Sequence, residues 1–382
     1  MAVSTAISQS VFTGEYILGL AQLKNHGIVA SLSDRTVRLL SSDPAGFSEV
    51  KTTFGNCHPN TISGLKTIDA NTFATSGGDG AKVWDARTKA TVSHVKFESN
   101  APLLCLDIQG HRLAAGTELV GSDAGVMLWD LRNNKKIVSY IDSHNDDVTD
   151  IVLHPSEQSA LLSGSVDGLI NLYNTTISDE DDAVYQTINH GASIHRVGFL
   201  SPKRIFGLSH METFSIYQVA DPDEQVEEPK PVEFGDVRQQ WDCEYVCDVL
   251  NNYIAMGNNS KSNFKLVSFQ NEKVDLENNI SFLNGHGDEV VRSVLVDPSA
   301  QLIFTGGEDG IVKVWKADLA GYNDSIPADQ NLDAMETEDW QQVKDKKKEK
   351  HNEKKHKHKH KHHKDKDHKD NLKKSKPRFE PY

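Results

Sequence analysis

The clearest pattern in the sequence lies between residues 285 and 316, where apolar and polar positions alternate in three runs, VVRSVLV, QLIFTGG and IVKVW. Such alternation is typical of strands with one buried face, and Glu-Asp-Gly before the last run predicts a tight turn. Four residues here would be costly to bury without partners: His286, Thr305, Asp309 and Trp315. We expect them to form one hydrogen-bonded chain, from indole through hydroxyl and imidazole to carboxylate.

The same unit recurs along the chain. The third strand of each unit contains a marker residue, and these markers are Leu40, Trp84, Trp129, Tyr173, Tyr217, Val267 and Trp315. Successive markers lie 44 to 50 residues apart, and one such unit cannot bury both of its faces alone. Seven copies predict an all-β fold, a single seven-bladed β-propeller. The period and the polar chain resemble the WD40 repeat.

The polar chain is kept in only some blades. Blade 4 repeats blade 7, because 29 residues separate His144 from Tyr173, as they separate His286 from Trp315. A repeated His–Asp pair indicates structure and not half of a catalytic triad. Blades 1, 5 and 6 have lost the pattern. The predicted members outside blade 7 are His144, Ser163 and Asp167 in blade 4, Thr75, Asp79 and Trp84 in blade 2, and Asp123 and Trp129 in blade 3.

The chain divides into three segments. Residues 1–317 make up the propeller, and the stretch from about Ser4 to Thr13 is expected to complete blade 7, which shows no fourth strand after its last marker. Residues 318–343 form an acidic linker. Residues 344–382 are rich in Lys and His and almost free of apolar residues, which predicts a disordered basic C-terminal tail.

Charge is divided unequally between these segments. The whole chain has a net charge of −14, which combines −24 up to Val343 with +10 in the tail. Acidic residues concentrate after the third strands of blades 4, 5 and 6, so we expect them to meet on the propeller face opposite the His–Asp turns. The candidate client-binding residues are Asp179, Glu180, Asp181, Asp182, Asp221, Asp223, Glu224, Glu227 and Glu228. In blade 6, QNEKVDLENN is expected to be the equivalent acidic loop.

Three segments also resemble the WD-repeat-containing protein 89 family. They are NDDVTDIVLHPSEQSALLSGSVDGLINLYN in blade 4, AAGTELVGSDAGVMLWDLR in blade 3 and GGEDGIVKVW in blade 7. The likeness covers roughly residues 15–317 and extends to the tail only in charge. It implies a non-enzymatic propeller.

We find no sequence motif for catalysis or for a cofactor. The chain has no GxxxxGK[ST], HExxH or GxSxG, and its four cysteines lack zinc-ligand spacing. The Lys-His run from His356 to His363 is interpreted as a solvated tail and not as a metal site. We therefore expect no enzyme, no cofactor and no bound metal, although carboxylates or histidines converging in the central channel would indicate otherwise. The sequence contains no run of 18 or more apolar residues, so no membrane-spanning helix is predicted.

These features predict a scaffold for protein–protein interaction that is a monomer as an isolated chain and is located in the nucleus or nucleolus, with the cytoplasm as the alternative. The acidic ring favours a basic client such as a ribosomal protein or a histone. A substrate receptor of a ubiquitin ligase and an RNA-associated factor that binds weakly through the tail are the alternatives. The candidate nuclear-import residues are Lys346, Lys347, Lys348, Lys373, Lys374, Lys376 and Arg378.

Overall fold

The computed structural model describes residues 2–97, 100–220 and 230–319. They form 29 β-strands in seven sheets, the short helix α1 (Glu180–Ala183) and two single-turn 3-10 helices (Pro44–Gly46 and Asn259–Lys261). The predicted seven-bladed all-β fold is confirmed. The tail lies outside the described residues, so its disorder stays a prediction.

Each blade is an antiparallel sheet whose first strand is innermost. Blade 1 contains β3 (Ile17–Leu23), β4 (Gly27–Leu32), β5 (Val37–Leu40) and β6 (Val50–Phe54). Blade 2 contains β7 (Gly64–Thr67), β8 (Thr72–Gly77), β9 (Gly80–Asp85) and β10 (Ala90–Val95). Blade 3 contains β11 (Leu103–Gln109), β12 (Arg112–Thr117), β13 (Ala124–Asp130) and β14 (Lys135–His144). Blade 4 contains β15 (Val148–Leu153), β16 (Ala160–Ser165), β17 (Leu169–Asn174) and β18 (Val184–Asn189).

The remaining blades follow the same order. Blade 5 contains β19 (Ile194–Ser201), β20 (Arg204–Ser209), β21 (Thr213–Gln218) and β22 (Val232–Asp236). Blade 6 contains β23 (Tyr245–Val249), β24 (Tyr253–Asn258), β25 (Asn263–Gln270) and β26 (Lys273–Leu283). Blade 7 contains β27 (Val291–Asp297), β28 (Leu302–Gly307) and β29 (Ile311–Lys316) and takes its fourth strand from the N-terminus.

The N-terminal segment closes the ring by joining two blades. Strand β2 (Ala6–Val11) pairs antiparallel with β29 and is the outer strand of blade 7. Strand β1 (Ala2–Ser4) pairs in parallel with β26, so blade 6 has five strands. The Ser4 hydroxyl also donates to the carbonyl oxygen of Lys316 at 2.9 Å. The repeat pattern does not predict this fifth strand in blade 6.

Both faces of each blade are buried against neighbouring blades, which explains the near-continuous apolar second strands. Every residue of β4, β16 and β28 is buried. Between blades 5 and 6 the core is aromatic, with the rings of Phe214 and Trp241 5.4 Å apart at 61°. Such tilted contacts are a favoured geometry for aromatic pairs.

Hydrogen bonds between neighbouring blades align the first strands around the channel. Most use a side chain of one blade and a main-chain atom of the next. The contacts are Ser63 Oγ to Leu103 O (2.5 Å), Cys105 Sγ to Val148 O (3.3 Å), Thr149 Oγ1 to Ile194 O (2.7 Å), Val246 N to Glu212 Oε2 (3.0 Å), Val291 N to Tyr245 Oη (2.8 Å) and Leu20 N to Ser293 Oγ (3.0 Å).

The alternating strand directions define two faces. The turn face carries the turns between second and third strands and the connections from each blade to the next. The opposite face carries the turns between first and second strands and the connections from third to fourth strands. Within the described residues, no helix is long and apolar enough to cross a membrane.

Deleting residues 1–11 should destabilise the propeller by on the order of 3 kcal/mol or more, because β29 loses a ladder of main-chain hydrogen bonds that contribute about 0.5–1.5 kcal/mol each. Deleting residues 1–4 removes only β1 and should cost much less. Urea unfolding of both variants measures the difference. Equal stabilities would show that β2 does not close the ring.

Candidate functional site

The four polar residues predicted in blade 7 form a continuous hydrogen-bonded chain. Trp315 Nε1 donates to Thr305 Oγ1 at 2.8 Å, and that oxygen lies 2.7 Å from His286 Nε2. At the other side of the ring, His286 Nδ1 lies 2.9 Å from Asp309 Oδ1. A carboxylate only accepts hydrogen bonds, so His286 Nδ1 carries a proton and donates it to Asp309. In the neutral imidazole Nε2 is then the acceptor, and the Thr305 hydroxyl donates to it.

Asp309 also shapes the turn that follows it. Its Oδ1 accepts the main-chain N–H of Ile311 at 3.0 Å. Gly310 adopts φ +72°, and a Cβ there would lie 2.4 Å from the carbonyl oxygen of Phe12. Glycine is thus required by both the backbone conformation and the close approach of the N-terminal segment.

Blade 2 contains the same chain, completed by a histidine that the sequence analysis missed. His58 Nδ1 lies 2.5 Å from Asp79 Oδ1 and His58 Nε2 lies 2.8 Å from Thr75 Oγ1, which accepts from Trp84 Nε1 at 2.9 Å. The histidine precedes the hydroxyl residue by 17 positions here and by 19 in blade 7. Because this connection is shorter, the histidine offset of blade 7 does not locate His58 in blade 2. Burial lowers the pKa of His58.

In blade 4 a tyrosine replaces the tryptophan. His144 Nδ1 lies 3.1 Å from Asp167 Oδ2, and His144 Nε2 lies 2.6 Å from Ser163 Oγ. The Tyr173 hydroxyl lies 3.1 Å from Ser163 Oγ and 2.9 Å from Ser143 Oγ. Burial raises the pKa of Tyr173 to about 12, so the phenol stays protonated.

Blade 3 does not join its two predicted residues. Trp129 is buried, but Asp123 is exposed and bonded to the Ser122 hydroxyl at 2.8 Å. A Cβ on Gly125 would lie 2.3 Å from the Phe97 ring, which packs beside this part of the blade. Within the described residues no histidine connects Asp123 to Trp129, because the inserted residues before Asp123 carry it away from the sheet.

Blade 5 contains a polar chain of a different kind. His190 Nδ1 lies 2.8 Å from the Tyr217 hydroxyl, and His190 Nε2 lies 2.9 Å from Thr213 Oγ1. Burial lowers the pKa of His190. The signal for this histidine was its position about one repeat length after His144.

The acidic segment of blade 4 includes a residue with a structural role. Helix α1 contacts β14 of blade 3, and Glu180 accepts three main-chain N–H groups there, from Ile141 (2.7 Å), Asp142 (3.0 Å) and Ser143 (2.7 Å). Its carboxylate is therefore engaged and does not fit the client-binding role predicted for it. Asp179 and Asp181 are exposed and Asp182 is half-buried.

The acidic loop predicted in blade 6 is wrong. Asn271 and Glu272, with φ +50° and +58°, form a tight turn, and β26 begins at Lys273. Asp275 therefore lies in a strand, paired with Ser268, and Glu272 pairs with Arg204 at 2.5 Å. The candidate residues Asp221, Asp223, Glu224, Glu227 and Glu228, and the import residues of the tail, lie outside the described residues.

The turn face carries carboxylates that the sequence analysis did not select. Between blades 3 and 4 they form an acidic patch, consisting of Glu118, Asp123, Asp146 and Asp147. The two loops of this patch touch, since Leu119 N donates to Asp147 Oδ1 at 2.7 Å. Connections before blades 6 and 7 add Glu244, Asp288 and Glu289, all exposed.

Most cations of the turn face already have carboxylate partners. The pairs are Arg38–Asp34, Lys82–Asp79, Arg238–Asp236, Lys261–Asp242 and Arg292–Glu308. Arg35 and Lys96 are exposed and belong to none of these pairs. The acidic patch therefore remains uncompensated by any ion pair within the described residues.

The first strands surround a central channel of about 640 Å³. Three half-buried leucines line it, Leu18, Leu104 and Leu295, from the first strands of blades 1, 3 and 7. The charged residues that line it are Lys66, Asp150, His195, Arg196, Asp248 and Arg292. The channel thus combines apolar and charged side chains.

Charges in the channel interact across blades. Lys66 Nζ lies 3.4 Å from Asp107 Oδ1, and this carboxylate raises the pKa of Lys66. Arg196 Nε lies 3.9 Å from Asp248 Oδ1. Burial, followed by the nearby guanidinium of Arg196, lowers the pKa of His195 to about 3, so its ring is neutral at physiological pH.

The described residues contain no cluster of three or more His, Cys, Asp or Glu side chains that could hold a metal ion. All four cysteines are buried. Burial raises the pKa of Cys57 to about 11 and that of Cys243 and Cys247 to about 12, which leaves these thiols unreactive.

Asp309→Ala should cost about 1–3 kcal/mol of unfolding free energy, because the buried His286 loses its acceptor. Asp123→Ala is the matched control, since that carboxylate is exposed, and should stay within about 0.5 kcal/mol of wild type. Chemical unfolding of both variants measures the difference. Equal costs would exclude a stabilising role for the blade 7 chain.

Acidification should destabilise the propeller partly through His195. Its pKa is about 3 in the fold and about 6.5 in the unfolded chain, so below pH 6.5 only the unfolded chain takes up this proton. Stability therefore decreases as the pH is lowered below 6.5, by at most about 1.4 kcal/mol per pH unit for this one group. His195→Gln should flatten the slope between pH 6 and 4, and the exposed His111→Gln should not. Identical slopes would contradict the assignment.

Comparison with known proteins agrees with this geometry. The WD domain, G-beta repeat family matches residues 135–174 and 277–316, which include the third strands of blades 4 and 7. The chain is similar in fold to the WD40 β-propeller domain of Doa1, with a TM-score of 0.59 and 14% identity. That match covers 84% of this chain and 99% of the other.

Relatives match over most of their length. An uncharacterized WD repeat-containing protein of Saccharomyces cerevisiae is 39% identical over 322 residues, 83% of this chain and 82% of the relative. WD repeat-containing protein GTS1 of Arabidopsis thaliana is 30% identical over 81% of this chain and 83% of its own. The WD repeat-containing protein 89 homolog of Dictyostelium discoideum is 28% identical over 68% and 72%. The chain belongs to the WD-repeat family of β-propeller proteins.

Proposed function

We propose that this propeller is an adaptor that binds a basic protein client on its turn face. WD-repeat propellers generally serve as platforms for protein interaction. The observation that supports a basic client is the acidic patch of Glu118, Asp123, Asp146 and Asp147, which no ion pair within the described residues neutralises. Opposite charge speeds association and selects partners.

Exposed apolar side chains on the same face supply the anchors that such an interface needs. Tyr16 is 50% exposed, Val120 44% and Met211 59%. Val120 lies within the acidic patch, between Glu118 and Asp123. Aromatic and methionine side chains are enriched at protein interfaces, whereas charge alone gives mainly rate and specificity.

The opposite face is less suited to a basic client within its described part. Its connections in blades 2 and 3 expose Lys89 and Lys135, beside Arg87 and Arg132, which are paired with Asp85 and Asp130. The two lysines would repel a basic partner over the distance of a Debye length, about 8 Å at physiological salt. Asp179 and Asp181 remain candidates on the segment around α1.

The triple variant Glu118→Gln, Asp123→Asn, Asp146→Asn tests this surface. Each exposed pair contributes about 0.2–1 kcal/mol, so affinity for a synthetic lysine- and arginine-rich peptide should fall by roughly an order of magnitude at low salt. The loss should shrink as salt rises.

The matched control is Glu49→Gln, Asp179→Asn, Asp181→Asn, which removes the same charge elsewhere. It should leave the affinity nearly unchanged. A greater loss of affinity in the control would assign client binding to the segment around α1 that was predicted from sequence. Unchanged affinity in both variants would contradict a basic client. Proteins recovered with tagged wild type and each variant at two salt concentrations would identify the client.

We also propose a nuclear location, supported by the basic clusters Lys346 to Lys348 and Lys373 to Arg378. Truncation after Val343 should move a fluorescently tagged chain to the cytoplasm. Its melting temperature should stay nearly unchanged, because the removed residues contain almost no apolar side chains to bury. Neutralising only the lysines and arginine of the two clusters is the finer control. A truncated chain that stays nuclear would assign import to the propeller or a partner.

A further inference from the structure

Arg196 is the channel arginine whose buried Nε has no hydrogen-bond acceptor among the described residues, a property that outside the channel Arg38 Nε shares. Arg87, Arg132, Arg204 and Arg238 each bind a carboxylate with two guanidinium nitrogens, at 2.5–3.2 Å. Arg196 has only the 3.9 Å pair with Asp248, beyond hydrogen-bond distance. Its buried Nε has no acceptor among the described residues. A guanidinium offers five donors in a planar fork suited to a carboxylate.

The carboxylates near Arg196 are, in contrast, already bonded to the main chain. Asp150 accepts the N–H groups of Ile151 and Val197, each at 3.0 Å. Asp248 accepts the N–H of Val249 at 2.9 Å. The channel therefore contains an unmet donor, Arg196 Nε, whereas both of these carboxylates already accept main-chain N–H groups. That imbalance favours an anion over an amine or a metal ion as its occupant.

Lys66 is a second cation that faces the same cavity. Its side chain is 50% exposed, and its ammonium lies 3.4 Å from Asp107, an ion pair longer than a close hydrogen bond. It can therefore turn toward an anion in the channel without losing a short contact.

The leucines that line the channel restrict the kind of anion. Leu18, Leu104 and Leu295 line the channel while remaining half-buried, and they would gain from contact with an alkyl group. A free phosphate has no such group and would bring a double charge close to Asp150 and Asp248. A volume of about 640 Å³ lies within the usual range for small-ligand sites.

We propose that the central channel binds a carboxylate attached to an aliphatic group, with Arg196 holding the carboxylate and the channel leucines contacting the alkyl part. The carboxylate is either that of a free organic acid or the C-terminus of a peptide. This site is separate from the client surface on the turn face.

The test uses the full chain and a pair of probes that differ in one group. N-acetyl-leucine carries the carboxylate and N-acetyl-leucinamide replaces it with a neutral amide. Calorimetric titration should show the acid binding about tenfold or more tightly than the amide, because a hydrogen bond to a charged group contributes about 1.5–3 kcal/mol. Equal affinity of acid and amide, or tighter binding of inorganic phosphate, would overturn the proposal.

Variants locate the site. Arg196→Gln should abolish the preference for the acid, whereas Arg132→Gln, on an exposed connection between β13 and β14, should keep it. Methyl NMR signals of Leu104 and Leu295 should shift on titration and that of the exposed Ile137 should not. An acid preference that survives Arg196→Gln would also overturn the proposal. If that variant fails to fold, the acid–amide comparison and the methyl shifts on wild type still decide.

Two further probes distinguish the sources of the carboxylate. 4-Methylpentanoate represents a free acid, and an acetylated peptide ending in alanyl-leucine with a free C-terminus represents a chain end. Both should compete with N-acetyl-leucine. Tighter binding of the peptide identifies a chain terminus as the ligand, and tighter binding of the free acid identifies a small molecule. Failure of both to compete would contradict a carboxylate site.

Discussion

The structure depends on the requirement that every blade be covered on both faces and that the ring leave no gap. A four-stranded sheet with apolar residues on both sides gains stability only when two neighbours cover it. Strand β2 meets this requirement for the last blade by pairing with β29. The β-ladder thereby joins the two ends of the propeller domain, and the stability of every blade depends on that contact.

The polar chains are a second consequence of this closure. Once both faces of a blade are buried, His58, His144 and His286 are buried as well, and each needs partners on both ring nitrogens. In blade 7 Asp309 can only accept, so it fixes the imidazole tautomer by taking the proton of His286 Nδ1. The Thr305 hydroxyl links Nε2 of the ring to Trp315. Asp309 also accepts the N–H of Ile311 and so joins the tight turn to the ring.

The fold could be predicted from the sequence because its signals are local and repeated. The period located the third strands, and the residues of the blade 7 chain stand at fixed offsets within one repeat. His58 was missed because a shorter connection shifted that offset. Strand β1 was missed because it adds to a blade that is remote in sequence. A repeat pattern reveals neither a shortened connection nor a pairing between strands that are distant in sequence.

The candidate sites were less predictable, because charge in a sequence does not show which charges are already bonded. Glu180 appeared in an acidic run, yet its carboxylate binds three main-chain N–H groups. Glu118 and Asp146 lie 28 positions apart and become neighbours only because their loops meet on one face. A net charge can therefore predict the character of a partner, but not the surface that receives it.

The channel shows most clearly that a sequence does not reveal which charged residues meet in the fold. Lys66, Asp150, Arg196 and Asp248 come from four blades, and each is an ordinary charged residue in its own strand. Ring closure places them around one cavity, where burial makes an unmet donor costly. The main chain donates to both aspartates, since each lies beside an N–H of its own or the next strand. Within the described residues Arg196 Nε has no acceptor of that kind, so an acceptor would have to come from inside the channel. The closed ring thus stabilises the fold and also assembles the cavity on which the proposed carboxylate site depends.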